Sequence, residues 1–533
     1  MPLAPRVTEG AWGSTDARLM REALEDADAT LAGAAIAAPS PDAAAADAKP
    51  RQQKAPGRRA QAAALFSKVL LGRSPEDLRA LAASHGQPAY RGDQLYAAIT
   101  GGAGKEGSAA HDLAGVGTLP KAWRERLAAE GWHVGRPLVT HEAAAPDGTR
   151  KLLLRLADGH EIETVGIPVD KDDDDDGMSG GGGGGGGGGF DGERRQAAAA
   201  RRGGGGGGPA AAPAPSPLRQ QSPATLPPPS AASRRLTCCV STMAGGCPLR
   251  CSFCATGRSA FARNLAPHEI LAQAMAVRDA FGGRRIGAVV FMGGGEPLVN
   301  LPSVLEAVAL LRRDLGLSGR SITLSTVGVP HTIARLAEAR LPVTLAVSLH
   351  APNQALRERL VPSARAYPID ELMSDCAAYF RSTGRRVTFE YTLMAGENDS
   401  PEHARELAAL LRRHGMLPSA AASASAAAAF ASAGSGRATP AASFASSSSP
   451  PPPSSSMHGG AHVNLIPYNS VEGTGYARPS RTRVYEFRKA LQEAAGRAIS
   501  VSVRATRGEE ANAACGQLAY QANEVRAAAA GAR

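Results

Sequence analysis

Short apolar runs and amphipathic runs alternate along most of the second half of the chain. The apolar runs are RRLTCCV (234–240), GAVVFMG (287–293), SITLSTV (321–327), VTLAVSLH (343–350), RVTFEYTL (386–393) and HVNLIPY (462–468), each the length of a buried strand. Between them lie PHEILAQAMAVRDAF, LPSVLEAVALLRRDLG, HTIARLAEAR, IDELMSDCAAYFRSTG and PEHARELAALLRRHG, whose apolar residues recur at helical spacing. Strands joined by crossover helices predict a parallel sheet. Six such units predict an α/β fold, a partial (βα)6 TIM-like barrel, with its chemistry at the C-terminal ends of the strands.

Upstream the pattern changes. PEDLRALAASHG opens on Ser74 as a cap, with Pro75 in the first turn, and closes on Gly86. RGDQLYAAITGG and LPKAWRERLAAEGW read as two more helices, and TRKLLLRLADGHEIETVGIP as a hairpin turning at Asp158-Gly159. Together they predict a small helix-and-hairpin accessory domain over 63–168, assigned to RNA binding. Residues 1–62 are rich in Ala and Pro and predict a disordered tail. Residues 169–233 carry an acid run, an unbroken glycine run and a Pro-rich stretch, and 418–460 are Ala-, Ser- and Pro-rich. Neither can bury a core, so both are expected to be flexible insertions. The core then spans 234–417, the last barrel strand and C-terminal segment 461–525, and a short tail 526–533.

Composition narrows the class. No run approaches 18 uncharged apolar residues, which argues against a membrane helix. Five of the seven cysteines (238, 239, 247, 251 and 254, with 376 and 515 apart) fall close together, unlike a secreted disulfide framework. The net charge of +10 is compatible with a nucleic-acid partner. It is scattered, as in RERLAAEGWHVGR and RPSRTRVYEFRK, and is given little weight. The acid-rich start, with Glu9, Asp16, Glu22, Glu25, Asp26 and Asp28, is unlike a transit peptide. A cytoplasmic protein is expected, with chloroplast or mitochondrion as the alternative.

The chemistry concentrates in CPLRCSFC, where Cys247, Cys251 and Cys254 follow the first barrel strand in a short loop. Three thiolates could form most of a zinc site completed by a histidine. Zinc knuckles usually pair their cysteines two residues apart, and His268 lies beyond a helix start. The spacing favours a four-iron cluster with one iron left open to a ligand. Other unusual residues fall on the same rim: Gly293, Gly294, Gly295 and Glu296 after the second strand, Ser325 after the third, Ser348, Leu349 and His350 after the fourth, Asn469 after the sixth. Taken singly, the glycines read as a tight turn, Glu296 as a helix-start acid, and the serines and Asn469 as caps.

Taken together, the strings resemble the radical S-adenosylmethionine superfamily, and within it the RlmN family of dual-specificity RNA methyltransferases. They are RLTCCVS, CPLRCSFCATG, FARNL, FMGGGEPLVN, LSTVGVP, LAVSLHAPN, VNLIPYN and TRGEEANAACGQL, covering about 63–168 and 234–525. The resemblance implies a [4Fe-4S] cluster on Cys247, Cys251 and Cys254. It implies S-adenosylmethionine bound by Gly295, Glu296, Ser325, Ser348, Leu349, His350 and Asn469. Cys515 matches the methyl-carrying cysteine, Cys239 the cysteine that later pairs with it, and Glu163 the proton acceptor.

The resemblance further implies methylation of adenosine carbon 2 in 23S-type ribosomal RNA, transfer RNA or both, with two S-adenosylmethionine molecules per turnover. One methylates Cys515; the other is cleaved to a radical that activates that methyl. An electron donor such as flavodoxin or ferredoxin, a monomeric state and no membrane partner complete the expectation. CVSTMAGGC is one glycine longer than the family spacing, Gly294 stands where methionine is usual, and Cys238 beside Cys239 leaves two candidates for the pairing thiol. Two rivals stand beside this reading: a Cfr-like methyltransferase acting on carbon 8, and a non-enzymatic RNA-binding protein with a structural metal.

Overall fold

The computed structural model describes residues 23, 66–102, 109–169, 235–417, 460–496, 499–508, 511 and 517. Cys515, nearly all of the expected tails and nearly all of both expected insertions lie outside them.

One sheet of ten strands organises the molecule, in the order β1-β2-β3-β4-β7-β8-β9-β10-β11-β12. Its strands are β1 (Leu138–Ala144), β2 (Arg150–Arg155), β3 (Glu161–Val169), β4 (Arg235–Cys239), β7 (Ile286–Phe291), β8 (Ile322–Thr326), β9 (Thr344–Ser348), β10 (Val387–Leu393), β11 (Ala461–Pro467) and β12 (Ser500–Val503). From β4 to β12 every pairing is parallel, as the crossover pattern predicts. The six expected barrel strands are present, and β12 in ISVSV continues the sheet by a seventh parallel strand. That strand is too short and too polar to announce itself by periodicity.

The hairpin predicted within the accessory domain belongs to this sheet. β3 pairs antiparallel with β4, Val165 opposite Cys239, and Leu152, Leu154 and Ile162 share the main core with the barrel strands. A boundary at 168 therefore cuts a continuous sheet. The helices are a different matter. α1 (Pro75–Ser84), α2 (Tyr90–Thr100) and α3 (Lys121–Ala129) enclose a core of their own built on Leu78, Leu95, Ile99, Trp123 and Leu127. Ser74 caps α1, accepting from the Asp77 N–H while Asp77 accepts from the Ser74 N–H.

Alternation along the strands gives the sheet two unlike faces. Val289, Ile322, Leu324, Leu345, Val347, Phe389, Tyr391, Val463 and Leu465 face the crossover helices and build the core. These are α4 (Pro267–Ala280), α5 (Leu301–Asp314), α6 (Thr332–Glu338), α8 (Ile369–Thr383), α9 (Pro401–Arg413) and α10 (Arg481–Ala495), whereas α7 (Gln354–Leu360) packs beside the cysteine loop. The opposite, inner face carries Cys239, Thr323 and Ser325 together with Val290 and Ala346, and then Ser348, Glu390, Asn464 and Ser502 in register across four strands. Neither α7 nor α10 follows from the amphipathic patterns named above.

The helical cluster docks on α4 and α5 through polar contacts. Tyr96 Oη donates to Asp314 Oδ1 (2.6 Å), Arg278 Nη1 to the Thr100 carbonyl (3.0 Å) and Arg136 Nη2 to Asp279 Oδ2 (2.5 Å). Helix α4 lies between sheet and cluster, so Pro267 through Arg278 are all buried.

Gly92 of α2 is pressed on α1, where an added Cβ would stand 2.5 Å from the Leu78 carbonyl. Gly92→Ala should destabilise the helical cluster by roughly 1–3 kcal/mol. Hydrogen exchange should then rise across 66–134 and stay unchanged in the barrel strands.

Candidate active site

The cysteine loop is framed by a two-stranded hairpin, β5 (Met243–Gly245) with β6 (Phe261–Asn264). Gly246 explains part of the long CVSTMAGGC spacing: a Cβ there would overlap the Ser259 carbonyl, so only glycine lets the two backbones meet. Within the loop the Cys247 N–H donates to the Thr256 carbonyl (3.0 Å) and the Cys254 N–H to the Cys251 carbonyl (3.2 Å). The loop is clamped from outside as well. The Ser252 N–H donates to the Leu360 carbonyl at the end of α7 (3.0 Å), and Ser252 Oγ lies 2.8 Å from Tyr476 Oη. Phe253 packs edge-to-face on His350 at 4.9 Å, and Arg258 donates to the Glu472 carbonyl.

Burial pushes the Cys247 and Cys251 thiols well above the ordinary range, and the neighbouring cysteines and Glu296 push them further. Sulfurs placed so that each disfavours ionisation of the next become thiolates together only when a multivalent cation offsets their charge. Among the described residues no three His, Cys, Asp or Glu groups converge on a single ion. Ligands of a four-iron cluster each hold a different iron and need not converge on a point. His268, the histidine a zinc site would need, is buried in α4 against Phe66, where burial lowers its pKa to about 4. The zinc reading loses its fourth ligand.

The GGGEP turn after β7 lies directly on the connection between β4 and β5. The Thr242 N–H donates to the Gly294 carbonyl (2.8 Å) and the Gly293 N–H to the Val240 carbonyl (3.1 Å). A Cβ on Gly293 would stand 2.7 Å from the Val240 carbonyl, and one on Gly295, at φ 103°, 2.6 Å from Met243. Both glycines thus allow close approach of the chain itself. Gly294 is looser, with Ser241 Oγ 3.2 Å from a Cβ, so a larger residue there needs only a small shift. The turn delivers Glu296, whose carboxylate accepts from the N–H groups of Leu298 and Val327 (2.9 Å each). Burial raises its pKa to about 6.

The other rim residues line up beside it. Ser325 and Ser348 hydroxyls stand 3.4 Å apart on neighbouring strand ends. Leu349 is fully buried, its N–H donating to the Glu390 carbonyl (3.0 Å). His350, at φ 58°, accepts from the Thr392 N–H through Nδ1 (3.0 Å), and burial lowers its pKa to about 3, so the ring stays neutral. Asn469 Oδ1 accepts from Thr506 Oγ1 (3.4 Å).

Alternation separates the paired cysteines. Cys238 faces the helix side, fully buried, 3.7 Å from Thr164 Oγ1. Cys239 faces inward and packs with Val165, Val290 and Ala511. Glu163, two residues from Val165 on the same face of β3, is buried and paired with Lys151 (Nζ–Oε1 3.3 Å). Cys515 lies outside the described residues, whereas Gly508, Ala511 and Gln517 are within them. The Gly508 N–H donates to Asp147 Oδ2 (2.8 Å), and Gln517 Nε2 to the Ser470 carbonyl (2.9 Å).

Two residues were missed in the sequence. Glu390 sits on the inner face of β10, accepting from Asn464 Nδ2 (2.8 Å), while Asn464 accepts from Ser502 (2.8 Å). An acid in the apolar run RVTFEYTL, in step with Ser348, was the available signal. Arg357 of α7 is buried beneath the cysteine loop and donates to the Val327 carbonyl (2.6 Å), and burial lowers its pKa to about 10. No strand or cap pattern marks it.

Residues 241–408 match the family model of the radical SAM superfamily. A probable dual-specificity RNA methyltransferase RlmN from Thermosynechococcus vestitus is 40% identical over 450 residues, 84% of this chain and 98% of that protein. The chain belongs to the RlmN family. Its counterpart from Gloeobacter violaceus is 40% identical over 449 residues, 84% of this chain and 94% of that protein. A solved radical SAM methyltransferase from Sphaerobacter thermophilus superposes with a TM-score of 0.59 at 31% identity, covering 85% of this chain and 99% of that one.

Membership in the RlmN family brings a [4Fe-4S] cluster and S-adenosylmethionine as cofactors. The mutually repelling thiols and the buried Glu296 carboxylate beside them suit a cationic cluster and a ligand ammonium.

Ser241 joins the parts: its Oγ donates to the Glu163 carbonyl (2.7 Å) and accepts from the Gly294 N–H (2.8 Å). Ser241→Ala orphans both buried groups and should cost roughly 1–3 kcal/mol of stability, read by urea unfolding. Ser241→Thr, which keeps the hydroxyl, should recover part of that loss.

Proposed function

We propose that this RlmN-family protein methylates carbon 2 of adenosine in ribosomal RNA, transfer RNA or both, through a methylated Cys515. The observation that carries the reading is the inward packing of Cys239 with Val165 and Ala511, four residues before Cys515, with Glu163 two residues from Val165 on the same face of β3. A carbon that is electron-poor and unsuited to direct displacement needs a radical route. When bound, the cluster and S-adenosylmethionine supply the one-electron chemistry that activates the methyl group on Cys515.

The chain's own residues do the rest. Cys247, Cys251 and Cys254 hold the cluster, and Glu296 takes the ammonium of S-adenosylmethionine. Gly295, Ser325, Ser348, Leu349, His350 and Asn469 border its remaining surface. Cys515 carries the methyl carbon to the base and becomes bonded to it. Glu163, oriented by Lys151, accepts the proton leaving carbon 2. Cys239, as its thiolate, then attacks the Cys515 sulfur: the S–S bond forms as the sulfur–carbon bond breaks, and the departing carbon takes up a proton to leave the methyl group on the RNA. Electrons come from a flavodoxin- or ferredoxin-type donor, and the enzyme acts as a monomer in the cytoplasm. IPYN and AACGQL do not separate carbon 2 from carbon 8 on physical grounds; kinship with the RlmN proteins supports carbon 2, and nucleoside mass analysis of the product separates the two positions.

Replacing Cys239 by Ala leaves the methyl carrier intact and removes the resolving thiol. Labelled RNA should remain covalently attached and shift on a denaturing gel. Cys238→Ala should give no adduct and only a modest stability loss, because that thiol fills the opposite, helix-facing side. An adduct from Cys238→Ala alone would move the resolving role there, and none from either would count against the covalent route.

Glu296 yields a pH prediction. Its pKa of about 6 lies above the ordinary range of a glutamate, so burial in the unligated fold favours the protonated form. Any stability from this group is therefore present in acid and lost as pH rises through about 6. Binding a ligand ammonium needs the opposite, ionised form. S-adenosylmethionine affinity of anaerobically prepared protein should rise roughly tenfold per pH unit up to about 6, then level. Glu296→Gln should bind at least about tenfold more weakly at neutral pH and lose this dependence.

A further inference from the structure

A charge taken out of water needs a counter-charge. Arg136, Arg263 and Arg278, whose side chains are largely out of solvent, each have one. Arg136 pairs with Asp279 (2.5 Å), Arg263 with Glu269 (2.7 Å) and Asp158 (2.5 Å), and Arg278 Nε lies 3.8 Å from Asp279 Oδ1. Arg357 of α7 differs. It is only 1% exposed, its Nε is buried without a hydrogen-bond partner, and its Nη2 donates to the Val327 carbonyl (2.6 Å). The ionisable groups that act on it are Cys251, Cys376 and Tyr367, with no carboxylate among them. Burial keeps the Cys376 thiol and the Tyr367 hydroxyl protonated. A guanidinium does not shed its proton to escape. Of its three neighbours only Cys251 has a reason to become an anion, as a cluster ligand.

Helix α7 fixes this cation behind the cysteine loop. Its Leu360 carbonyl accepts from the Ser252 N–H (3.0 Å), and Leu356, Leu360 and Val361 pack with Phe253, Cys251 and Cys254. From there the Arg357 side chain reaches Val327, whose own N–H donates to Glu296 (2.9 Å). The arginine is thus tied to the strand end that holds Glu296 as well as to the loop.

We propose that Arg357 sets the reduction potential of the cluster, as a fixed positive charge behind Cys251. The assignment rests on the [4Fe-4S] cluster that membership in the family brings. The core of such a cluster is cationic, but three thiolates outweigh it, and one-electron reduction makes the whole still more negative. A neighbouring cation therefore favours the reduced form over the oxidised one and raises the potential at which the donor can deliver its electron. The carboxylate of S-adenosylmethionine is the other anion that could answer Arg357. A guanidinium with 1% exposure offers an incoming ligand almost no surface, which favours the cluster.

The test is a redox titration of the anaerobically reconstituted full chain, followed by electron paramagnetic resonance in the absence of S-adenosylmethionine. Arg357→Met keeps most of the volume and removes the charge. At the wild-type midpoint its ratio of reduced to oxidised cluster should fall roughly tenfold. The fall should be the same at low and high salt, because ions in solution screen a buried charge poorly. Arg357→Lys keeps the charge and should recover most of the wild-type ratio. Melting temperature and iron and sulfide content show that the variants fold and load, and Arg357→Gln stands in if the Met variant does not fold.

A wild-type midpoint in a loaded neutral variant would overturn the proposal, and weaker S-adenosylmethionine binding in that same variant would hand Arg357 to the ligand carboxylate instead. An equal shift in Arg357→Lys and Arg357→Met would also overturn it, because packing rather than charge would then be responsible. Neutral variants that melt like the wild type but hold no iron would overturn it in favour of a role in shaping the loop. Wild-type protein without iron and labile sulfide would overturn the cluster itself, and this assignment with it.

Discussion

Strand register decides what this molecule can do. A strand shows alternate residues to opposite faces, so a slip of one residue exchanges the two sets. In the parallel part of the sheet one set is almost wholly aliphatic and aromatic and is covered by helices. The other set includes Cys239, Thr323, Ser325, Ser348, Glu390, Asn464 and Ser502. Because so much apolar surface is committed to the helix side, the polar set has one place to go. The same rule sends Cys238 into the core and Cys239 toward the rim, although the two are chemically identical neighbours. Gly166, pressed on Val277 and Phe281 of the α4 region, holds β3 close on that helix side.

A polar inner face is costly unless its groups find partners. Here they find one another along the register: Glu390 with Asn464, Asn464 with Ser502, Glu163 with Lys151, Ser241 between Glu163 and Gly294. The cysteine loop is the exception. Burial, the neighbouring cysteines and Glu296 keep the Cys247 and Cys251 thiols protonated, and the buried Arg357 is the cation among the groups that act on Cys251. Such crowding is unfavourable in the bare protein and is relieved by a positively charged cluster and a ligand ammonium. The clamps from Leu360, Tyr476 and His350 keep the loop from relaxing away from it.

Much of this was legible in the chain. Six strands, five crossover helices, the Asp158-Gly159 turn and the rim position of the motifs all follow from periodicity and turn chemistry. What stayed hidden has physical reasons. β12 is only four residues long and half polar, so alternation has too few positions to register. Helix α10 exposes Tyr485 on its polar face, which blurs the amphipathic signal. The hairpin was legible as a hairpin but not as part of the barrel sheet, because a strand's partner across a long insertion leaves no trace in local pattern. Glycines 293 and 295 read as a tight turn, and only their contacts with Val240 and Met243 show how closely the chain packs on that turn.

The seventh strand changes how the end of the chain must be understood. Counted from β11, Cys515 would sit at the end of a tether of about 48 residues; counted from β12, the tether is 12 (515 minus 467, and 515 minus 503). A short tether confines a sulfur far more than a long one, since the volume it explores falls steeply with length. It is confined further by Gly508 on Asp147, Ala511 on Cys239 and Gln517 on Ser470. These three points surround the mouth of the inner face, one on the β1–β2 turn, one on β4 and one beyond β11. In the proposed reaction Cys515 must meet an activated ligand, then a base, and then a second cysteine. Fixed points at Gly508 and Ala511 before it and at Gln517 after it hold both ends of that segment beside the inner face, where all three encounters would take place.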